Sequence, residues 1–191
     1  MACGRCGIPR FAFVAEEALQ TVERMLAIIL AKMNAVAAYR GKEGGAFCVV
    51  DLKTGRFVIR PIIIGVVTDP EKRAKYLRLC VEKARRLRRK YMQYNHLLSW
   101  QSRNPDKGEW GGSICDGEYL WAFSGLPEEG DEALMLISAQ SCGQIANGDP
   151  GKYAMISDNR VILDGGYKFW AKSNETEAEE PAGQPEGAVV S

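Results

Sequence analysis

Apolar positions recur at helical spacing in two long stretches and gather in short blocks elsewhere, and these two patterns lay out most of the fold. Met25, Ile28, Ile29, Met33, Val36 and Ala37 form the i, i+3, i+4 stripe of a helix predicted over 15–39, closed by Gly41. Leu26, Leu30 and Ala35 widen the stripe, so this helix should be sandwiched inside the domain or covered by another subunit. Gly44-Gly45 then leads into a strand over 46–52, a Lys53-Thr54-Gly55 turn and a return strand over 57–67. Pro61 inside the return strand cannot donate to a ladder, which predicts an edge position or a bulge. A second helix should start with Asp69 as N-cap and Pro70 at the first helical position. Its apolar face is Leu77, Cys80, Val81, Ala84, Leu87 and Tyr91, and it should fray near Tyr94-Asn95.

His96 to Trp100 reads as a short strand, followed by a polar loop over 101–109. Asp116-Gly117 between two apolar runs predicts a hairpin, because tight hairpin turns need positive φ. A third helix follows over 128–145, with Glu128, Glu129, Asp131 and Glu132 where a helix start favours negative charge. Tyr153–Ser157 and Arg160–Asp164, joined by Asp158-Asn159, read as a small extra hairpin. Beyond Ser173 the chain is Glu, Ala, Pro, Gly and Ser, too poor in apolar residues to fold by itself. The expected layout is a flexible 1–14, an α+β domain over 15–147, a hairpin extension over 148–172 and a disordered acidic tail over 173–191. The order helix, two strands, helix, about three strands, helix predicts an antiparallel sheet with helices packed on it.

Composition changes this picture in three places. The formal net charge of +1 conceals an asymmetry: ten Lys and Arg lie between Lys72 and Lys90, while the stretch after Ser173 has five Glu and no base. The longest apolar run, Met25 to Ala31, is seven residues, far short of the roughly 20 that a membrane span needs. Of six cysteines, Cys48, Cys80, Cys115 and Cys142 sit inside apolar elements, where free cysteine behaves as a small hydrophobe. With no leader pattern at the N-terminus, a reducing, cytoplasmic setting is expected.

Four motifs resemble the GlcG / haem-binding-protein family, whose relatives include the C-terminal domain of some corrinoid adenosyltransferases. They are Phe47-Cys48-Val49-Val50-Asp51 with Gly55, Lys83-Ala84 on the second helix, Gly111-Gly112-Ser113-Ile114 with Asp116-Gly117, and Ser124-Gly125 with Asp131-Glu132. The resemblance covers about residues 18–146 and implies a profilin-like sandwich that forms homo-oligomers. Some members of that family bind haem, in some cases through a histidine of the first helix. Here that helix has no histidine, Ser113 replaces the family's loop proline, and the one histidine in the chain is His96.

The candidate chemistry is sparse. Backbone N–H groups of the Gly111-Gly112 and Ser124-Gly125 loops and of the third helix's start suit a bound anion, but the four nearby acids oppose it. Those glycines serve turns and close packing equally well. Glu128, Asp131 and Glu132 admit a metal, although clustered acids at a helix start usually complement its dipole. The basic helix, with Arg78, Arg85, Arg86 and Arg89 and the nearby Tyr91, Tyr94 and Trp100, has the composition of a polyanion-binding face. It equally describes a solvated face that pairs with the acidic tail or a neighbouring subunit. A single histidine leaves no Ser–His–Asp set, nothing lowers the pKa of Cys115 or Cys142, and Cys3-x-x-Cys6 is half of a zinc site without its second half. The expectation is a non-catalytic, oligomeric small-molecule binder for a tetrapyrrole such as haem or for an organic acid. Its site would be Gly111, Gly112, Ser113, Ser124, Gly125 and Asp131, with His96 and Trp110 as walls. The alternatives are a ligand-free assembly subunit or a nucleic-acid binder.

Overall fold

The computed structural model describes residues 14–145 and 149–164. The N-terminal Cys3/Cys6 pair and the acidic stretch after Ser173 lie outside the described residues. Four antiparallel strands form one sheet in the order β2-β1-β4-β3, with β1 at Gly44–Asp51, β2 at Phe57–Gly65, β3 at Ser113–Cys115 and β4 at Tyr119–Ser124. Helix α2 (Pro70–Tyr94) crosses one face, and α1 (Ala15–Met33) and α3 (Glu128–Ser141) cover the other. Helices α4 (Asp149–Ser157) and α5 (Arg160–Leu163) pack beside α3. The α+β class holds, consistent with a profilin-like sandwich.

The period-two alternation of the central strands explains the layers. On β1 and β4, Ala46, Cys48, Val50, Leu120 and Ala122 face α2, where they meet Cys80, Ala84 and Leu87. Phe47, Val49, Trp121 and Phe123 point the other way, into the core shared with α1 and α3. Small residues therefore let α2 lie close to the sheet, and aromatics fill the thicker layer opposite. Both central strands are covered on two faces, which is why they read as continuous apolar runs.

Local chemistry fixes the ends of the elements. Asp69 caps α2 by accepting from Glu71 N (2.8 Å) and Lys72 N (3.2 Å), with Pro70 at the first helical position, and Asn95 closes the helix at φ 55°. Strand β2 is an edge, and its register against β1 shifts between the Phe47 and Val49 pairs, at Pro61. The β3–β4 hairpin forms, but its turn sits one residue later than Asp116-Gly117. Gly117, first of the two loop residues, takes φ 97°, where a II′ turn requires glycine. Asp116 instead ties the hairpin together, accepting from Glu118 N and Tyr119 N (both 2.7 Å) and from Trp121 Nε1 (2.9 Å).

Four expected elements differ, the least of them the third helix, which ends at Ser141 instead of residue 145. Helix α1 ends at Met33 instead of residue 39, and a short 3-10 turn at Ala37–Tyr39 tucks Tyr39 into the core while Val36 is left exposed. The strand expected over 96–100 is only a bridge from Leu98 to Ile114. The Gln101 side chain accepts from Leu97 N (2.7 Å) and Leu98 N (3.0 Å) and turns the chain into a 3-10 helix at Ser99–Ser102. The extra hairpin is a pair of helices: Asp158 (φ 52°) ends α4, and Asn159 caps α5 by accepting from Ile162 N. Asp-Asn serves as either a turn or a helix boundary, and short apolar blocks do not discriminate strand from helix.

Candidate functional site

The two glycine loops and the start of α3 do converge, and what they build is a buried ionic hub. Lys83 Nζ of α2 donates to Asp131 Oδ2 of α3 at 2.7 Å and to the Phe123 carbonyl at 3.0 Å. Asp131 Oδ1 accepts from Gly125 N (3.2 Å) and Leu126 N (2.8 Å). Both charged side chains are only 2% exposed. Burial pushes the Asp131 carboxyl up to about 6, against the opposing pull of Lys83 and the two backbone donors. Gly112 makes the contact possible: at φ 101°, a Cβ there would stand 2.5 Å from Asp131 Cβ and 2.9 Å from Lys83 Nζ. The amides of Gly125 and Leu126 are thus occupied by Asp131 rather than held open for a ligand.

Arg86, one turn further along α2, organises the other half of the loop. Its guanidinium donates to the carbonyls of Ser99 and Ser102 (both 2.9 Å), to Ser102 Oγ (2.8 Å), to the Trp110 carbonyl and to Glu82 (2.7 Å). At 1% exposure it is withdrawn from any polyanion-binding face. Arg88 likewise anchors the β1–β2 turn through the Leu52 (2.9 Å) and Lys53 (2.8 Å) carbonyls. Arg78, Arg85 and Arg89 remain exposed.

The acids of α3 serve separate partners rather than one ion. Glu128 takes Arg103 Nε (2.7 Å) and Gly111 N (3.1 Å), and Asp131 takes Lys83. Glu132 Oε1 accepts from Asn159 Nδ2 (3.0 Å) and from the Ser157 hydroxyl. Among the described residues no group of three or more His, Cys, Asp or Glu is placed to hold a metal. Glu132 Oε2 is buried with no hydrogen-bond partner among the described residues, and burial raises this carboxyl to about 7 despite Ser157 and Asn159.

Beside the hub lies an open cleft of about 660 Å³, between the end of α1, the 99–103 turn, the start of α3 and α5. Met33, Val36, Ala38, Tyr39, Trp100 and Val161 supply its apolar and aromatic lining, and Arg103, Glu128, Glu129, Arg160 and Asp164 its charged walls. The Tyr39 hydroxyl is buried and has no hydrogen-bond partner among the described residues. Burial, then Glu129 and Asp131, push this phenol up to about 12, so it is a neutral donor. Arg103 is clamped to Glu128, with its guanidinium carbon 5.1 Å from the Trp100 ring and 5.9 Å from the Trp110 ring. Arg160 pairs with Asp158 (2.9 Å) and Asp164 (3.4 Å).

The expected site residues therefore divide. Gly112, Gly125 and Asp131 meet in the hub, Gly111 joins it to the cleft through Glu128, and Trp110 approaches Arg103. Ser113 and Ser124 are buried in strands, Ser113 with its amide on Ser99 Oγ at 2.9 Å. His96 packs 5.7 Å from the Tyr94 ring and is not among the cleft-lining residues. Sequence reasoning missed Tyr39, Trp100 as a cleft wall, and Val161, because the first was read as helix and the last as strand. No family model, no curated protein and no solved structure matches this chain.

Proposed function

We propose that this protein is a non-catalytic small-molecule binder whose ligand occupies the cleft over Tyr39. The observation that carries this reading is a concave, largely apolar site of about 660 Å³ with one buried, unpartnered hydroxyl in its lining. Its size lies in the range of small-molecule sites, and a few convergent polar groups among apolar walls are their usual chemistry. The Tyr39 hydroxyl, covered against Gly130, would donate to a ligand once the ring turns outward, Trp100 offers a flat face, and Glu128 and Arg160 are already engaged within the protein. That combination suits a planar, mostly apolar ligand bearing one acceptor. A tetrapyrrole such as haem supplies the planar apolar face, bound without His96 as a ligand and with its propionates in solvent outside the cleft; a small organic acid, whose carboxylate would sit inside, suits the acid-rich walls less well. A reducing, cytoplasmic setting belongs to the same reading, since Cys48, Cys80, Cys115 and Cys142 are buried as free thiols. Among the described residues no helix is long and apolar enough to cross a membrane.

A titration of the purified protein with haem and with a metal-free porphyrin, read by visible absorbance, tests the proposal beside Ala38→Trp and His96→Ala. Saturable binding that Ala38→Trp abolishes and His96→Ala spares is the expected result. Binding unaffected by the tryptophan plug would remove the cleft from consideration, and loss in His96→Ala would move the site to the end of α2. A second reading, a homo-oligomeric assembly subunit, is favoured by β2, whose outer edge pairs with no strand among the described residues. Val58 and Ile62 of this strand are 40% and 44% exposed, and Val66 just past its end is 56% exposed. Sedimentation of wild type beside Ile62→Lys decides it: a monomer in both discards this reading.

A further inference from the structure

A second groove, of about 600 Å³, runs between α2 and the free edge strand β2 and owes nothing to the cleft over Tyr39. Its apolar lining is Pro61, Leu77 and Val81, and Arg78, Arg85 and Arg89 stand along it. Arg78, Arg85 and Arg89 make no ion pair among the described residues, whereas the neighbouring Lys83, Arg86 and Arg88 are consumed by internal partners. Glu82, the one acid in the lining, is paired with Arg86. Three unpaired guanidinium groups over an apolar strip call for an anionic chain with small apolar residues between its charges.

We infer that this groove docks the acidic segment of the same chain, residues 174–191. That segment has Glu175, Glu177, Glu179, Glu180 and Glu186 and no base, with Thr, Ala, Pro, Gly and Gln between them and Val189-Val190 after the last. The two spans are comparable. Arg78, Arg85 and Arg89 follow one another at i, i+7 and i+11, which places them on one stripe over about 17 Å of helix. In an extended chain Glu175, Glu177 and Glu179 project from one side over about 13 Å, and Glu180 projects from the other. The described chain leaves at Asp164, in the same cleft wall as Arg103, and Ser102 beside it is bonded to Arg86 of α2. The linker from there to Glu175 covers up to about 36 Å when extended. The segment thus competes with any other polyanion for this exposed arginine row of α2, and the basic helix is a self-occupied surface rather than a nucleic-acid interface.

The test uses the full chain with Glu175, Glu177, Glu179, Glu180 and Glu186 all changed to Gln, and a fluorescein-labelled peptide of residues 174–191 as probe. Anisotropy should show saturable binding to this variant, weakened at least tenfold when salt rises from about 0.05 to about 0.5 M. Wild type should bind the peptide at least tenfold more weakly at every protein concentration, because its own tether supplies an effective concentration near millimolar. Adding Arg78→Glu, Arg85→Glu and Arg89→Glu to the Gln variant should abolish binding, and Arg89→Gln alone should weaken it. No saturable binding, or binding indifferent to the arginines, overturns the inference. Competition in wild type that appears only on concentrating the protein assigns the groove to a second copy's segment and overturns it too. So does arginine-dependent capture of heparin or single-stranded RNA by wild type with no capture of the peptide by the Gln variant, which would hand the groove to nucleic acid.

Discussion

Lys83 and Asp131 meet at 2.7 Å although their helices, α2 and α3, lie on opposite faces of the sheet. The pair passes beside the end of β4, held by the Phe123 carbonyl on one side and the Gly125 and Leu126 amides on the other. It therefore joins the two layers directly, where packing alone would join each layer only to the sheet.

Removing one partner leaves an uncompensated buried charge, so Lys83→Met should cost about 3–5 kcal/mol. Asp131→Asn retains an oxygen for the Gly125 and Leu126 amides and should cost less. The double variant should be more stable than the two single losses added together, because neither charge is then stranded. Gly112→Ala should also destabilise by about 3 kcal/mol, through its φ and its collision with both partners. Urea unfolding of the four variants checks all of this; a strictly additive cycle would show that the ions are not coupled.

Arg86 predicts a local rather than a global failure. It binds three carbonyls of the segment from Ser99 to Trp110, whose own backbone pairing is confined to tight turns and the Asn104–Glu109 bridge. Arg86→Lys keeps the charge but loses the forked geometry. Limited proteolysis should cut near Lys107 at least tenfold faster in this variant, with the melting temperature of the sheet core lowered by a smaller degree. Equal cleavage rates would mean that the turns hold the segment unaided.

The layered fold was legible from the chain because period two on β1 and β4, and period 3.6 on α1 and α2, are enforced by burial on known faces. Charge was not legible in the same way. Lys83, Arg86 and Arg88 are indistinguishable in sequence from Arg78, Arg85 and Arg89, yet the first three are tied to internal acceptors and the others are not. Which face of α2 meets the sheet was readable; which long side chains bend under the edge of that face depends on carbonyls from residues 52 to 123, brought there only by folding. The cleft was hidden for a similar reason. Its walls come from the broken end of α1 and from α5, and both breaks depend on local capping and turn contacts that apolar periodicity does not register.

Glu132 makes stability depend on pH in a definite direction. Its ordinary value is 4.5 and burial raises it to about 7 in the folded protein. Between those values the native state holds more protons than the unfolded chain, so stability from this group is fully present below pH 4.5 and is lost as pH rises to 7. The loss is on the order of 3 kcal/mol. Asp131 acts with the same sign between 3.8 and about 6, so the wild-type slope contains both. Glu132→Gln keeps an acceptor for Ser157 and Asn159 without the titration, and should flatten the segment between pH 6 and 7. Chemical denaturation across that range reads it directly, and an unchanged slope would mean that Glu132 is ionised throughout.

Tyr39 separates a binding role from a packing one. Its hydroxyl and ring edge both pack against Gly130, and the hydroxyl has no hydrogen-bond partner among the described residues; a buried polar group in that condition costs roughly 1–3 kcal/mol. A residue kept only for packing would therefore gain from losing the oxygen. Tyr39→Phe should be as stable as wild type or more so by about 1 kcal/mol, yet bind the cleft's ligand about tenfold more weakly. Thermal unfolding with and without porphyrin, on both proteins, reads the two effects from one experiment. If Tyr39→Phe is stabilised and its ligand affinity is unchanged, the hydroxyl faces no ligand, and the planar-acceptor chemistry assigned to the cleft loses its anchor.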